Sequence, residues 1–69
     1  MNIQEEVAKQ IRKIRLEKGV SQEKFASLCN LDRTYISSIE RGNRNISIKV
    51  LERISIALNV KISELCNEY

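Results

Sequence analysis

The stretch Gln22-Glu23-Lys24-Phe25-Ala26-Ser27-Leu28-Cys29-Asn30-Leu31-Asp32-Arg33-Thr34-Tyr35-Ile36-Ser37-Ser38-Ile39-Glu40 decides how this chain folds. It reads as two short helices with almost nothing between them. Ser21 is an N-cap residue ahead of the first, and Glu23 lies in its opening turn, where a carboxylate meets the positive end of the helix dipole. Phe25, Ala26 and Cys29 recur at helical spacing and face inward. The helix gives way at Asn30, a residue that tolerates the left-handed conformation of a helix-ending turn. Asp32 then caps a second helix from Arg33 to about Arg41, with Ile36 and Ile39 inward and Gly42 at its end. Only Asn30 to Asp32 separate the two, so they must cross steeply rather than lie side by side.

Outward from this unit the same punctuation repeats. Ile3, Val7, Ile11 and Ile14 share one helical face, with Glu5, Glu6, Lys9, Arg12 and Lys13 elsewhere, so a helix precedes it, running to about Lys18 and stopping at Gly19. Ser47 caps a fourth helix whose inward stripe reads Ile48, Leu51, Ile54, Ala57 and Leu58, and a brief fifth helix near Ile62 to Cys66 closes the core with Val60, Ile62 and Leu65. Proline is absent, and no repeat or linker interrupts the 69 residues. The fold class is therefore all-α: five helices with short joints in one domain covering residues 1–69, with a helix-turn-helix over about 22–40.

The steep crossing needs a small residue where the helices touch, an apolar residue in the turn and two apolar anchors on the second helix. Ala26, Leu31, Ile36 and Ile39 meet those needs, with Phe25 and Cys29 completing the inner face. Any small helical bundle could show that apolar pattern. The outer, N-terminal part of the second helix tips the balance, because Arg33, Thr34, Ser37 and Ser38 are short or forked hydrogen-bonding side chains of the kind that suits base edges. Arginine bonds bidentately to guanine O6 and N7, serine and threonine donate or accept, and a threonine methyl packs on thymine C5. A merely solvated face would more often carry Glu and Lys pairs.

Charge agrees with position. The net formal charge is +3, and from Arg33 to Arg53 five basic residues (Arg33, Arg41, Arg44, Lys49, Arg53) face two acids, Glu40 and Glu52. The loop Arg41-Gly42-Asn43-Arg44-Asn45 is rich in groups that reach phosphate oxygens, and Gln22 could hold the backbone together with free amides at its helix start. Arg12, Lys13, Lys18 and Lys24 read as solvated charges.

With these residues in view, the sequence resembles the Cro and phage-repressor type of helix-turn-helix family, with its lambda-repressor-like domain. The resemblance rests on Ile11 to Arg15, Gly19-Val20-Ser21-Gln22, Phe25-Ala26, Tyr35 to Gly42 and Leu51 to Val60. The run Leu31 to Ser37, with Glu40-Arg41 and Arg44-Asn45, is most similar to the controller proteins of restriction-modification systems. That resemblance implies a homodimer on a near-palindromic operator, with Arg33, Thr34, Ser37 and Ser38 facing bases and Gln22, Tyr35, Asn43, Arg44 and Asn45 near the DNA backbone. It also implies a partly buried ion pair between Arg15 and Glu40 that ties the first and third helices. Asn30 departs from the usual glycine in the turn.

Other classes fit less well. The chain has no histidine, no Gly-rich phosphate loop and no close carboxylate pair, so an enzyme is not expected, and Cys29 and Cys66 lack neighbours for a metal set. No cofactor is expected. The absence of a signal peptide or an apolar membrane span places the protein in the cytoplasm. A phage-type repressor remains an alternative to the controller reading. So does an antitoxin or adaptor whose main partner is a protein, although only Asn67-Glu68-Tyr69 follows the last helix to serve such a partner. RNA polymerase is a further macromolecule that such a regulator could contact. For the dimer, Ile56 falls far round the fourth helix from the inward stripe, and Leu65 and Cys66 end the fifth helix with little chain left to cover them; these three are the expected interface.

Overall fold

The computed structural model describes residues 2–66; the Asn67-Glu68-Tyr69 tail lies outside the described residues. Five helices follow in order: α1 (Ile3–Glu17), α2 (Gln22–Cys29), α3 (Arg33–Glu40), α4 (Ile48–Leu58) and α5 (Ile62–Leu65). Polar side chains start the first four. Asn2, Ser21 and Ser47 each accept a hydrogen bond from the amide three residues on, and Asp32 accepts from that of Thr34, two residues on. At α5 the Glu64 carboxylate accepts instead from the Lys61 amide, at 2.7 Å.

The ends of α1 to α4 share one chemistry. Gly19, Asn30, Gly42 and Asn59 all adopt positive φ, between 56° and 77°. These are the residue types for which the left-handed conformation is least costly. In each case the next amide bonds back five residues: Val20 to Arg15, Leu31 to Ala26, Asn43 to Ser38 and Val60 to Ser55. Val20, Leu31 and Val60 then lay an apolar side chain against the core. Asn43, exposed and polar, does not.

The core joins Val7, Ile11 and Ile14 of α1 to Phe25, Ala26 and Cys29 of α2, Ile36 and Ile39 of α3, Ile54 and Leu58 of α4, and Leu65 of α5. Helix α2 packs on α3 and α4, while α1 spans α3, α4 and α5. Ala26, 3% exposed, leaves room for the α2–α3 crossing.

Several expectations need correction. Leu65 is not an interface residue left uncovered: it is 1% exposed, held in the core of its own chain. Cys66 is half-buried against the same cluster. The reason is that α1 reaches α5, with Gln10 Nε2 donating to the Glu64 carbonyl at 3.1 Å, and together with α4 supplies a cover that sequence order hid. Ile48, placed in the inward stripe of α4, is instead 81% exposed, because the burial of α4 is centred on Ile54, Ser55 and Leu58. Ile3 and Ile62 lie at helix starts and are likewise exposed.

At the centre of the α1–α3 contact lies a buried charged cluster. Arg15 Nε donates to Glu40 Oε2 at 2.6 Å, and Arg15 Nη2 donates to Oε1 at 2.9 Å. Arg15 Nη1 donates to the Val20 carbonyl at 2.7 Å, and Gln22 Nε2 donates to Glu40 Oε1 at 3.1 Å. Both carboxylate oxygens are satisfied, and the guanidinium and carboxylate side chains are 7% and 2% exposed. This fork-on-fork geometry is what a buried pair requires to offset the desolvation of two ions.

Two measurements follow from this interior. Glu40→Ala strands a buried guanidinium and is expected to lower unfolding free energy by about 3 to 5 kcal/mol, read by urea denaturation. A change below about 1 kcal/mol would assign the pair the value of an exposed one. The second concerns Cys29, whose thiol is pushed up from 9.0 to about 11 by burial, with Arg53 acting in the opposite direction. The folded chain then holds the thiol proton where the unfolded chain has released it, so stability falls as pH rises from about 9 to about 11. Cys29→Ala should flatten that part of the stability–pH curve; an identical slope in both proteins would remove Cys29 as a cause.

Candidate nucleic-acid interface

Because α3 is eight residues long and is gripped through Ile36, Ile39 and Glu40, with Tyr35 partly packed on the core, Arg33, Thr34, Ser37 and Ser38 are left on its outer side. Asp32 caps its start, accepting from the Thr34 amide at 2.8 Å. Arg33 and Thr34 stand exposed on the first turn, and Ser37 and Ser38 lie half-buried one turn on. The four base-facing candidates thus share the outer side of one short, rigid helix.

Two contacts organise the neighbouring cations. Arg41 Nη1 donates to Ser37 Oγ at 2.9 Å. Sequence reading placed Arg41 at the helix end and in the phosphate-reaching loop and missed this bond, although the i, i+4 spacing that creates it is visible in the sequence. By accepting from Arg41, the Ser37 hydroxyl keeps its own proton to donate. Further along, the Arg44 guanidinium carbon lies 5.2 Å from the centroid of the Tyr35 ring, within cation–π range. Two residues separately expected near the DNA backbone are therefore in contact with each other. Asn43 and Asn45 are exposed beside them. Gln22 is half-buried with one amide hydrogen committed to Glu40, which leaves the other free to reach outward.

The salt bridges among the described residues are Lys9–Glu6 and Arg15–Glu40. Arg33, Arg41 and Arg44, on α3 and the loop after it, take part in neither, and such unpaired cations attract a polyanion. A surface groove lined by Ile3, Val7, Ile46, Leu51 and Cys66, with Gln4 and Asn45 at its polar edge, has a volume of about 230 Å³. Apart from Asn45, it shares no residue with this cationic face. No group of His, Cys, Asp and Glu among the described residues could hold a metal ion, and no helix there is long and apolar enough to cross a membrane.

Residues 11–65 match the family model described as "Helix-turn-helix". The chain belongs to the helix-turn-helix family that includes the restriction-modification control proteins. It is 51% identical over 65 residues to control protein C.BamHI from Bacillus amyloliquefaciens, covering 93% of this chain and 80% of that relative. Its fold is similar to that of the controller protein C.AhdI from Aeromonas hydrophila, with a TM-score of 0.86, 38% identity and coverage of 88% of this chain and 92% of the other. It also resembles C.Esp1396I, with a TM-score of 0.84, 52% identity and coverage of 88% of this chain and 80% of the other, in a structure of the C.Esp1396I tetramer in complex with its natural 35-base-pair operator.

Proposed function

We propose that this protein is a sequence-specific transcriptional regulator of the restriction-modification controller type, binding a near-palindromic operator as a homodimer in the cytoplasm. The observation that carries this reading is the outer face of α3. Arg33 and Thr34 stand free on its first turn while the other side of the helix is anchored in the core. Inserted into a major groove, α3 would bring Arg33 to a guanine edge, the Thr34 methyl to a thymine, and the Ser37 and Ser38 hydroxyls to neighbouring acceptors. Arg44, Tyr35, Asn43, Asn45 and the second amide hydrogen of Gln22 would hold the phosphates and fix register. The operator complex of C.Esp1396I supports the reading by kinship.

Size supports two copies. The molecule measures 28 × 22 × 21 Å, whereas successive half-sites on one face of a duplex lie roughly 34 to 36 Å apart. One copy therefore covers one half-site. The surface offered for pairing is the outer side of α4, where Ile56 and Ile48 are 72% and 81% exposed, about two turns apart. With Leu65 committed to the core, these replace it as the apolar centre of the contact, and Cys66 lies off this surface, on the groove beside α1.

Duplexes selected from a random pool supply the cognate site. On it, Arg33→Ala is expected to lose about 1 to 3 kcal/mol and relax preference at one base pair, while Arg44→Ala weakens binding to all sequences and lowers the salt slope by roughly 0.9. Equal losses on cognate and random DNA for Arg33→Ala would reject base readout by that residue. The combined Ile48→Asp and Ile56→Asp variant should sediment as a folded monomer with weakened operator binding; a dimer that survives both changes would place the interface elsewhere.

A further inference from the structure

The peptide unit joining Gly42 to Asn43 is held at both of its poles by different helices. Its N–H, on Asn43, donates to the Ser38 carbonyl of α3 at 3.1 Å. Its carbonyl, on Gly42, accepts from Gln4 Nε2 of α1 at 2.7 Å. These two residues are 38 positions apart in the chain, so the second bond exists only in the folded molecule. Close approach of α1 makes it reachable. A Cβ at position 42 would stand 3.3 Å from Glu5 Cγ and 3.5 Å from Glu5 Cα, so the glycine serves both the left-handed turn, at φ +77°, and the contact with α1.

At the other three left-handed helix ends Val20, Leu31 and Val60 fix the outgoing chain by packing on the core, and Arg15 also holds the Val20 carbonyl. At the end of α3 the corresponding residue is Asn43, exposed and without that anchor. The chain leaving this point carries Arg44 one residue later, with its guanidinium over Tyr35. A peptide plane pinned at both ends fixes the direction in which residues 43 and 44 depart. We infer that Gln4, which makes no contribution of its own to the cationic face, is a positioning residue for Arg44, setting the 43–45 loop on the DNA backbone through the Gly42 carbonyl. This rests on the DNA-binding reading above.

The test is a double-mutant cycle on the full chain with its selected duplex, using Gln4→Met, which keeps the length of the side chain and removes the donor, and Arg44→Ala. Fold is monitored by circular dichroism, with Gln4→Leu as a second variant should methionine disturb α1. Loss of one neutral hydrogen bond predicts about a fivefold weaker complex for Gln4→Met and a shallower salt slope, with no further loss when Arg44 is already alanine. The same fivefold loss in both backgrounds, or an unchanged salt slope, would overturn a positioning role and leave Gln4 a stabilising residue. No loss in either background would overturn it as well. If Arg44→Ala alone binds DNA normally at every salt concentration, the reading of the loop as a DNA contact fails first, and the role of Gln4 fails with it.

Discussion

Arg15 and Glu40 set the geometry on which the rest of this molecule depends. Their side chains meet where α1 ends, where the turn into α2 begins and where α3 stops. Gln22 joins them from the first position of α2. A carboxylate buried to 2% side-chain exposure demands a full set of donors. This one receives three, from two helices. The direction of α3 relative to α1 and α2 is thereby fixed by hydrogen bonds of definite angle, in addition to apolar packing that would tolerate small rotations. Charge and amide groups sit together at the root of the helix-turn-helix, and its exposed end is left for a ligand.

Apolar burial supplies the rest of the cohesion. In 69 residues the core draws on every helix, and Phe25, Ile11, Ile36, Ile39, Ile54, Leu58 and Leu65 are almost wholly shielded from water. A domain this small has little excess stability, so a long α1 that covers three other helices matters more than the number of helices. It is α1 that, with α4, packs on α5 where Leu65 is buried, and that reaches the end of α3 at Gly42. The same helix therefore serves the core and the edge of the cationic face.

The exposed residues of α3 and of the following loop form a surface with fixed and adjustable parts. Arg33 and Thr34 stand on a helix that the core holds still. Arg44 is instead held by the Tyr35 ring, and Arg41 by the Ser37 hydroxyl, in contacts that long side chains can leave and regain at small energetic cost. That division suits a protein that must discriminate bases with some groups while following the phosphate backbone with others.

The five helices were legible in the sequence because their signals are local. Asn2 apart, the caps Ser21, Asp32 and Ser47, the left-handed Asn30 and the glycines at 19 and 42 are read from residue type and the periodicity beside them. The outward side of α3 was legible for the same reason, since fixing Ile36 and Ile39 inward leaves Arg33, Thr34, Ser37 and Ser38 on the opposite side. Burial was a different matter. Ile48 and Leu65 are both apolar and both lie near helix ends, yet one is 81% and the other 1% exposed. Helical periodicity gives the face a residue occupies but not which neighbouring element covers it, and only the packing of α1 and α4 on α5 separated the two. The Tyr35–Arg44 contact and the bond from Gln4 to Gly42 likewise depend on where the chain returns in space. Residue types and spacing determined the helices and their outward chemistry; tertiary packing decided which surfaces were left to meet a partner and how firmly each group on them is held.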